Sequence, residues 1–300
     1  MRTIIVPTDF SETSENALNY AIEFAKLMGA TITLIHVCQP PTSENYLSEA
    51  ELQSKKLKVI NLLENHIKTN EPNVKFEICA QPENVVYKMT ETVKEKNADL
   101  IVFGIPAGIY DESVVGNNTS GAISTLSVPV LMIPSNAVFK IPSKIVFAAD
   151  YLELENDRPL TVLLNFIFFF SSKLFIVNVK AEDQKTASKS VAVLLNVRKM
   201  LKKVSHSVHY VINKNVVDGI NSFVQESDAD IVAIIPHRHN LFYRLFKFST
   251  AKKMAYNSSV PLLALPEGIE LPVFVTEEPV IVPEPLFERE IQWFNEQFAI

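Results

Sequence analysis

Three hundred residues are enough for two domains of ordinary size. With 47% hydrophobic and 21% charged residues and a net charge of −6, the composition is that of a soluble globular chain, and it gives no electrostatic support to a general nucleic-acid role. The charge is uneven, because residues 268–300 hold seven glutamates and one arginine and so carry the whole net charge.

A strand pattern begins at Thr3 and is read as leaving no room for a signal peptide. Strands are predicted at Thr3–Pro7, Thr31–Val37, Lys75–Cys79, Leu100–Phe103 and Pro129–Ile133, mostly short apolar runs bounded by breakers, as strands buried on both faces should be. Helices are predicted between them at Glu15–Met28, Glu49–Thr69, Glu83–Lys96 and about Asn118–Leu126. In the first, Ala17, Tyr20, Ala21, Phe24 and Ala25 recur at helical spacing, Thr13 or Ser14 is a candidate cap, and Gly29 marks the end. Alternating strands and helices require right-handed crossovers and a parallel sheet.

The pattern then repeats. Strands are predicted at Lys144–Ala148, Leu174–Val179, Ser207–Ile212, Ile231–Ile235 and Pro261–Leu265, after a short linker near Ser135–Pro142. Thr3-Ile-Ile-Val-Pro-Thr-Asp-Phe10 is echoed by Lys144-Ile-Val-Phe-Ala-Ala-Asp-Tyr151, Asn97-Ala-Asp99 by Asp228-Ala-Asp230, and Val128-Pro129 by Val260-Pro261. Three matches in one order mean a duplicated domain. The boundaries expected are 1–134, 143–267 and an acidic tail at 268–300. Each final strand is apolar, and a bare apolar edge is a pairing hazard, so the two copies are expected to cover each other with these strands antiparallel. Leu160–Val179 is apolar enough to resemble a membrane span, but Asn165, Ser171, Ser172 and Lys173 interrupt it. It aligns without gaps to Leu18–Val37 and is read as a buried helix and a strand.

Four of the seven glycines, Gly104, Gly108, Gly116 and Gly121, follow the fourth strand directly. Glycines there let the backbone approach a ligand and donate N–H groups to anions. Asn117-Asn118-Thr119-Ser120 then opens a helix, whose N-terminus favours negative charge. If the strand order is 3-2-1-4-5, strands one and four are adjacent and their carboxyl ends flank the topological switch point. Asp9 and the glycine loop would then face one crevice.

These residues carry a resemblance. Ile4-Ile-Val-Pro7-Thr8-Asp9-Phe-Ser11, Thr33-Leu-Ile-His-Val37, Asp99-Leu-Ile-Val-Phe-Gly104, Gly116-Asn-Asn-Thr-Ser120 and Pro129-Val-Leu-Met-Ile-Pro134 resemble the universal stress proteins. The resemblance covers about residues 1–267 as a tandem pair, specific in the first copy and fainter in the second. It implies two Rossmann-like α/β domains of the adenine nucleotide alpha hydrolase type, each a five-stranded parallel sheet of order 3-2-1-4-5 with helices on both faces. It also implies a cytoplasmic stress-response role, frequent ATP binding with Mg, dimerisation through the last strand and no firmly assigned reaction. On the family pattern Pro7, Thr8 and Asp9 would meet the ribose side, Val37 the adenine, and Gly104, Gly108, Gly116, Asn117, Asn118 and Thr119 the phosphates. This chain departs from that pattern. Ala107 stands where the second glycine belongs, Gly116 comes one residue early, Asn117 replaces the hydroxyl, and Asp111 and Glu112 bring negative charge without any Lys or Arg between residues 104 and 121.

In the second copy Ile235 corresponds to Gly104 and Phe248 to Gly116, which should block a nucleotide. The loop there is basic instead (Arg238, Arg244, Lys247, Lys252, Lys253), a solvated face or an anion site. Asp150 matches Asp9 and is read as a strand-end cap. His237 and His239 lack a nearby carboxylate or cysteine, so no metal is expected. Cys38 and Cys79 read as reduced thiols. No nucleophile, base or Walker lysine motif is present, so no catalytic residues are assigned. The leading function is a nucleotide-responsive regulatory module that binds an adenine nucleotide in its first domain only. The rival is a scaffold that binds no nucleotide and engages proteins or itself. In the tail, Phe287, Ile291, Phe294 and Phe298 form a helical apolar stripe beyond the proline-rich Leu271–Pro285. The stripe is expected to dock on this chain or a second copy, unless the tail is a disordered acidic segment.

Overall fold

The structure is a computed structural model, and it describes residues 3–9, 11–38, 50, 54, 57, 61, 76–82, 85–106, 127–148, 158–180, 200–202, 204–235, 260–266 and 268–269. Ten strands form one sheet: β1 (Thr3–Pro7), β2 (Thr31–Cys38), β3 (Phe76–Pro82), β4 (Leu100–Ile105), β5 (Val130–Pro134), β6 (Lys144–Ala148), β7 (Lys173–Lys180), β8 (His206–Ile212), β9 (Ile231–Ile234) and β10 (Leu262–Ala264). Four described helices accompany them: α1 (Glu12–Met28), α2 (Val85–Lys96), α3 (Arg158–Phe170) and α4 (Val216–Ser227). Among the described residues no helix is long and apolar enough to cross a membrane, and Leu160–Val179 divides into most of α3 and β7.

The strand order is β3-β2-β1-β4-β5-β10-β9-β6-β7-β8. The first five strands are parallel in the order 3-2-1-4-5, and the last five repeat that order from the opposite edge. The halves meet at β5 and β10, which pair antiparallel with Leu263 opposite Leu131, so the two apolar edges cover each other as the edge argument anticipates. Antiparallel closure also sets the carboxyl ends of the two halves at opposite margins of the sheet.

The sheet has a core on each face. On one face Ile4, Val6, Leu34, Leu131, Leu174 and Leu263 pack beneath α1 and α3. On the other, Ile5, Ile101, Met132, Val146, Val232 and Leu262 pack against α2 and α4. Where α1 and α3 meet, Phe24 stacks at 5.9 Å from Phe166 and 5.2 Å from Phe170 (ring centroids), and Phe24 and Phe166 are fully buried. Burying each such ring is worth roughly 1.5–3 kcal/mol, so the halves share a core as well as a sheet. Tyr20 of α1 is also buried there, and burial together with the Asp230 carboxylate from the other half holds its hydroxyl well above the usual tyrosine pKa.

The repeated Asn97-Ala-Asp99 and Asp228-Ala-Asp230 have a mechanical meaning. Asn97 (φ 46°) and Asp228 (φ 51°) are left-handed stops after α2 and α4. Asp99 Oδ2 then accepts from Thr3 N–H at 3.0 Å, and Asp230 Oδ2 accepts from Lys144 N–H at 3.0 Å and from Ser143 N–H and hydroxyl at 2.9 and 2.8 Å. Each aspartate therefore fixes the first strand of its half against the fourth. Cys38 and Cys79 fall three register positions apart on the neighbouring strands β2 and β3.

Candidate functional site

The site is built at the carboxyl ends of β2, β1 and β4, three consecutive strands. β1 pairs with β2 on one side and β4 on the other, so Asp9, Val37 and Gly104, spread over residues 9 to 104 of the sequence, come to one margin of the sheet. Pro7 closes β1. Thr8 leaves it with its N–H on Ile35 O (2.8 Å) and its hydroxyl 3.1 Å from Ser14 Oγ. Val37 lies in the last turn-ward residues of β2, paired with Gln81. Gly108, Gly116, Asn117, Asn118 and Thr119 lie outside the described residues, as do Asp150 and the basic loop of the second half.

Asp9 is exposed and forms a tight turn with Ser11, whose N–H donates to Asp9 Oδ1 at 3.0 Å and whose hydroxyl donates to the same oxygen at 2.6 Å. Partial burial pushes the Asp9 carboxyl upward, but the hydrogen bonds from Ser11 and Ser14 outweigh it and hold the group below the usual aspartate pKa. Asp9 is thus an anion at neutral pH. Its chemistry is to accept hydrogen bonds, as from a pair of hydroxyls, and not to donate a proton.

Ser11 is the residue that sequence reading missed. The helix begins at Glu12, three residues before the expected start, and its cap is Ser11, extended at φ −73°, ψ 159° with its side chain accepting from Ser14 N–H (3.2 Å). Thr13 and Ser14 are first-turn residues, not caps. Ser11 directly precedes the first-turn acids Glu12 and Glu15, which is the signal that could have located it.

Gly104 has a packing role as well as a place in the site. A Cβ there would run into the Thr13 carbonyl oxygen and lie 2.8 Å from the carbonyl carbon. The missing side chain is what lets the first turn of α1 descend onto β4. Any side chain at this position displaces α1, so Gly104→Val would disturb folding as well as any ligand.

Among the described residues no group of three His, Cys, Asp or Glu side chains gathers as a metal set. The arrangement offers one exposed carboxylate, a helix N-terminus beside it and strand-end backbone, which suits holding a polar ligand.

Comparison with known proteins bears on the fold. Residues 1–134 match the model of the universal stress protein family. The whole chain is similar in fold to a universal stress protein from Archaeoglobus fulgidus, at 18% identity and a TM-score of 0.65 over 88% of this chain and 96% of that one. A putative universal stress protein from Pseudomonas aeruginosa matches at 12% identity and a TM-score of 0.56, over 89% and 93%. No curated protein matches the chain. The universal stress protein match spans β1 to β5, the half that carries Asp9, Val37 and Gly104.

Proposed function

We propose that this chain is a cytoplasmic regulatory protein of the universal stress type with a single nucleotide site. In this reading residues 1–134 are a domain that binds an adenine nucleotide, ATP with Mg in the first instance. Residues 143–267 are a second, degenerate domain, and residues 268–300 an acidic tail. The observation that carries the proposal is the convergence of Val37, Asp9 and Gly104 on the carboxyl ends of three consecutive strands at the switch point. Asp9 accepts hydrogen bonds from the ribose hydroxyls, with Pro7 and Thr8 shaping the turn beneath them. Val37 lies beside the adenine. Backbone N–H groups of the loop from Gly104 through Gly108, Gly116, Asn117, Asn118 and Thr119 meet the phosphates. Asp9, Asp111 and Glu112 are anionic and no Lys or Arg lies between residues 104 and 121, so a divalent cation accompanying the phosphates is part of the reading. No catalytic step is assigned, because among the described residues no base is placed to activate water.

Calorimetric titration with ATP and Mg tests it. One site per chain is expected, weakened by roughly tenfold or more, or about 1.4 kcal/mol, in Asp9→Ala. Mass spectrometry of small molecules released from the purified protein should detect an adenine nucleotide. A second reading, a scaffold that binds no nucleotide, is favoured by one observation: Ser11 accounts for Asp9 and Thr13 accounts for Gly104 without any ligand. Absence of both heat and co-purified nucleotide would decide for the scaffold.

A further inference from the structure

The α1–α3 face carries an apolar patch that obeys the internal two-fold relation of the halves. Aligning Leu18 with Leu160 places Leu27 opposite Phe169, and these are the exposed apolar residues of α1 and α3, at 42% and 44%. Between them lie the Phe24–Phe170 contact and the half-buried Met28. One turn before Phe169, Asn165 is only 8% exposed, and its Nδ2 has no hydrogen-bond partner among the described residues. A buried amide donor without an acceptor costs about 1–3 kcal/mol, so the helix beneath the patch carries a local penalty.

The path of the linker indicates what reaches it. After β5, Ala137 is buried with its carbonyl on Asn16 Nδ2 at 3.1 Å, and Phe139 packs edge-on against Tyr20 at 4.9 Å. After β10, Ile269 is buried with its carbonyl on Arg158 Nη1 at 3.5 Å. Asn16 and Arg158 are equivalent in the same alignment, as are Tyr20 and Val162. The chain therefore leaves β10 by the route on which the linker leaves β5. The described chain ends at Ile269, at the position on α3 that corresponds to Ala137 on α1.

We propose that the C-terminal stretch 286–298 docks as a helix on this patch, with Phe287, Ile291, Phe294 and Phe298 against Leu27, Phe169 and Phe170. The dimensions agree. α3 has 13 residues, roughly 20 Å at 1.5 Å per residue, and the stripe spans nearly the same length. Residues 270–286 are more than long enough to cross that distance and return, at about 3.3 Å per extended residue. α3 carries no acidic residue, so the glutamates of the tail meet no like charge on it.

The test uses the full-length chain and its sole tryptophan. Trp293 flanks the stripe, and the pair Trp293→Phe with Phe294→Trp moves the reporter onto it. Docking predicts blue-shifted, iodide-protected emission from that reporter, independent of protein concentration. Leu27→Glu with Phe169→Glu, both at exposed positions, should shift the emission to that of the denatured chain and remove protection while leaving the circular dichroism of the body unchanged. If that double variant loses the body's dichroism, Phe169→Lys alone is the reporter of record and should produce the same red shift. Solvent-like emission before any patch substitution, emission indifferent to the patch substitutions, or a blue shift that disappears on dilution would each overturn the proposal, the last by assigning the patch to a second copy.

Discussion

The two halves repeat one topology with opposite packing strategies under their first helices. α1 presents Ala17, Ala21 and Ala25 to the sheet and lies close along β1, β4 and β5, whereas no strand is approached as closely by α3. The aligned residues of α3 are Pro159, Leu163 and Ile167, all buried, and large side chains hold a helix axis away from a sheet. The same contrast recurs at the strand end. Gly104 leaves its volume to the Thr13 carbonyl, while the corresponding Ile235 is a large buried side chain. One half spends its small residues on bringing a helix N-terminus down to the strand ends, where a site can form. The other carries a buried isoleucine at the corresponding strand end.

The comparison is tested most strongly where the halves touch. Phe24→Ala or Phe166→Ala should each cost about 3–5 kcal/mol, and denaturant unfolding should remain one transition in both. Two separated transitions in either variant would show that the halves fold independently. A sharper and smaller contrast is Gly104→Ala against Ile235→Val. The first forces a methyl onto backbone that cannot yield and should cost about 1–3 kcal/mol, whereas the second trims a methyl and should cost about 0.5–1.5 kcal/mol. If Gly104→Ala is neutral by thermal denaturation, α1 does not lie as low on β4 as described. The smallest effect probes the helix ends, where Gly29 (φ 61°) and Ser171 (φ 52°) hold the same left-handed position and the next N–H in each case reaches back to Ala25 O or Ile167 O. Ser171→Gly should stabilise and Gly29→Ala destabilise, each by about 1 kcal/mol, with opposite shifts in Tm.

Strand and helix identities were legible because their signals are local. Apolar runs between breakers located all ten strands to within a few residues, and the repeated Asp-containing motifs announced the second half. The start of α1 was misread by three residues because Thr13 and Ser14 are also competent caps. Only the chain entering from β1 through the Asp9 turn selects Ser11. The site was partly legible. Asp9, Val37 and Gly104 could be brought together on an assumed strand order, but nothing near Gly104 in sequence hints that Thr13 needs its space.

By itself, then, the chain's pattern determined which segments are strands, that their pattern recurs, and that two apolar edges required cover. The tertiary structure decided the register that sets Leu263 against Leu131, the strand-fixing roles of Asp99 and Asp230, the height of α1 above β4, and the opposed directions of the two carboxyl margins. The division has a physical cause. Periodicity and capping are set by neighbours within a turn or two, while these contacts join groups nearly a hundred residues or more apart, and which atoms meet there depends on side-chain volumes summed across the whole sheet.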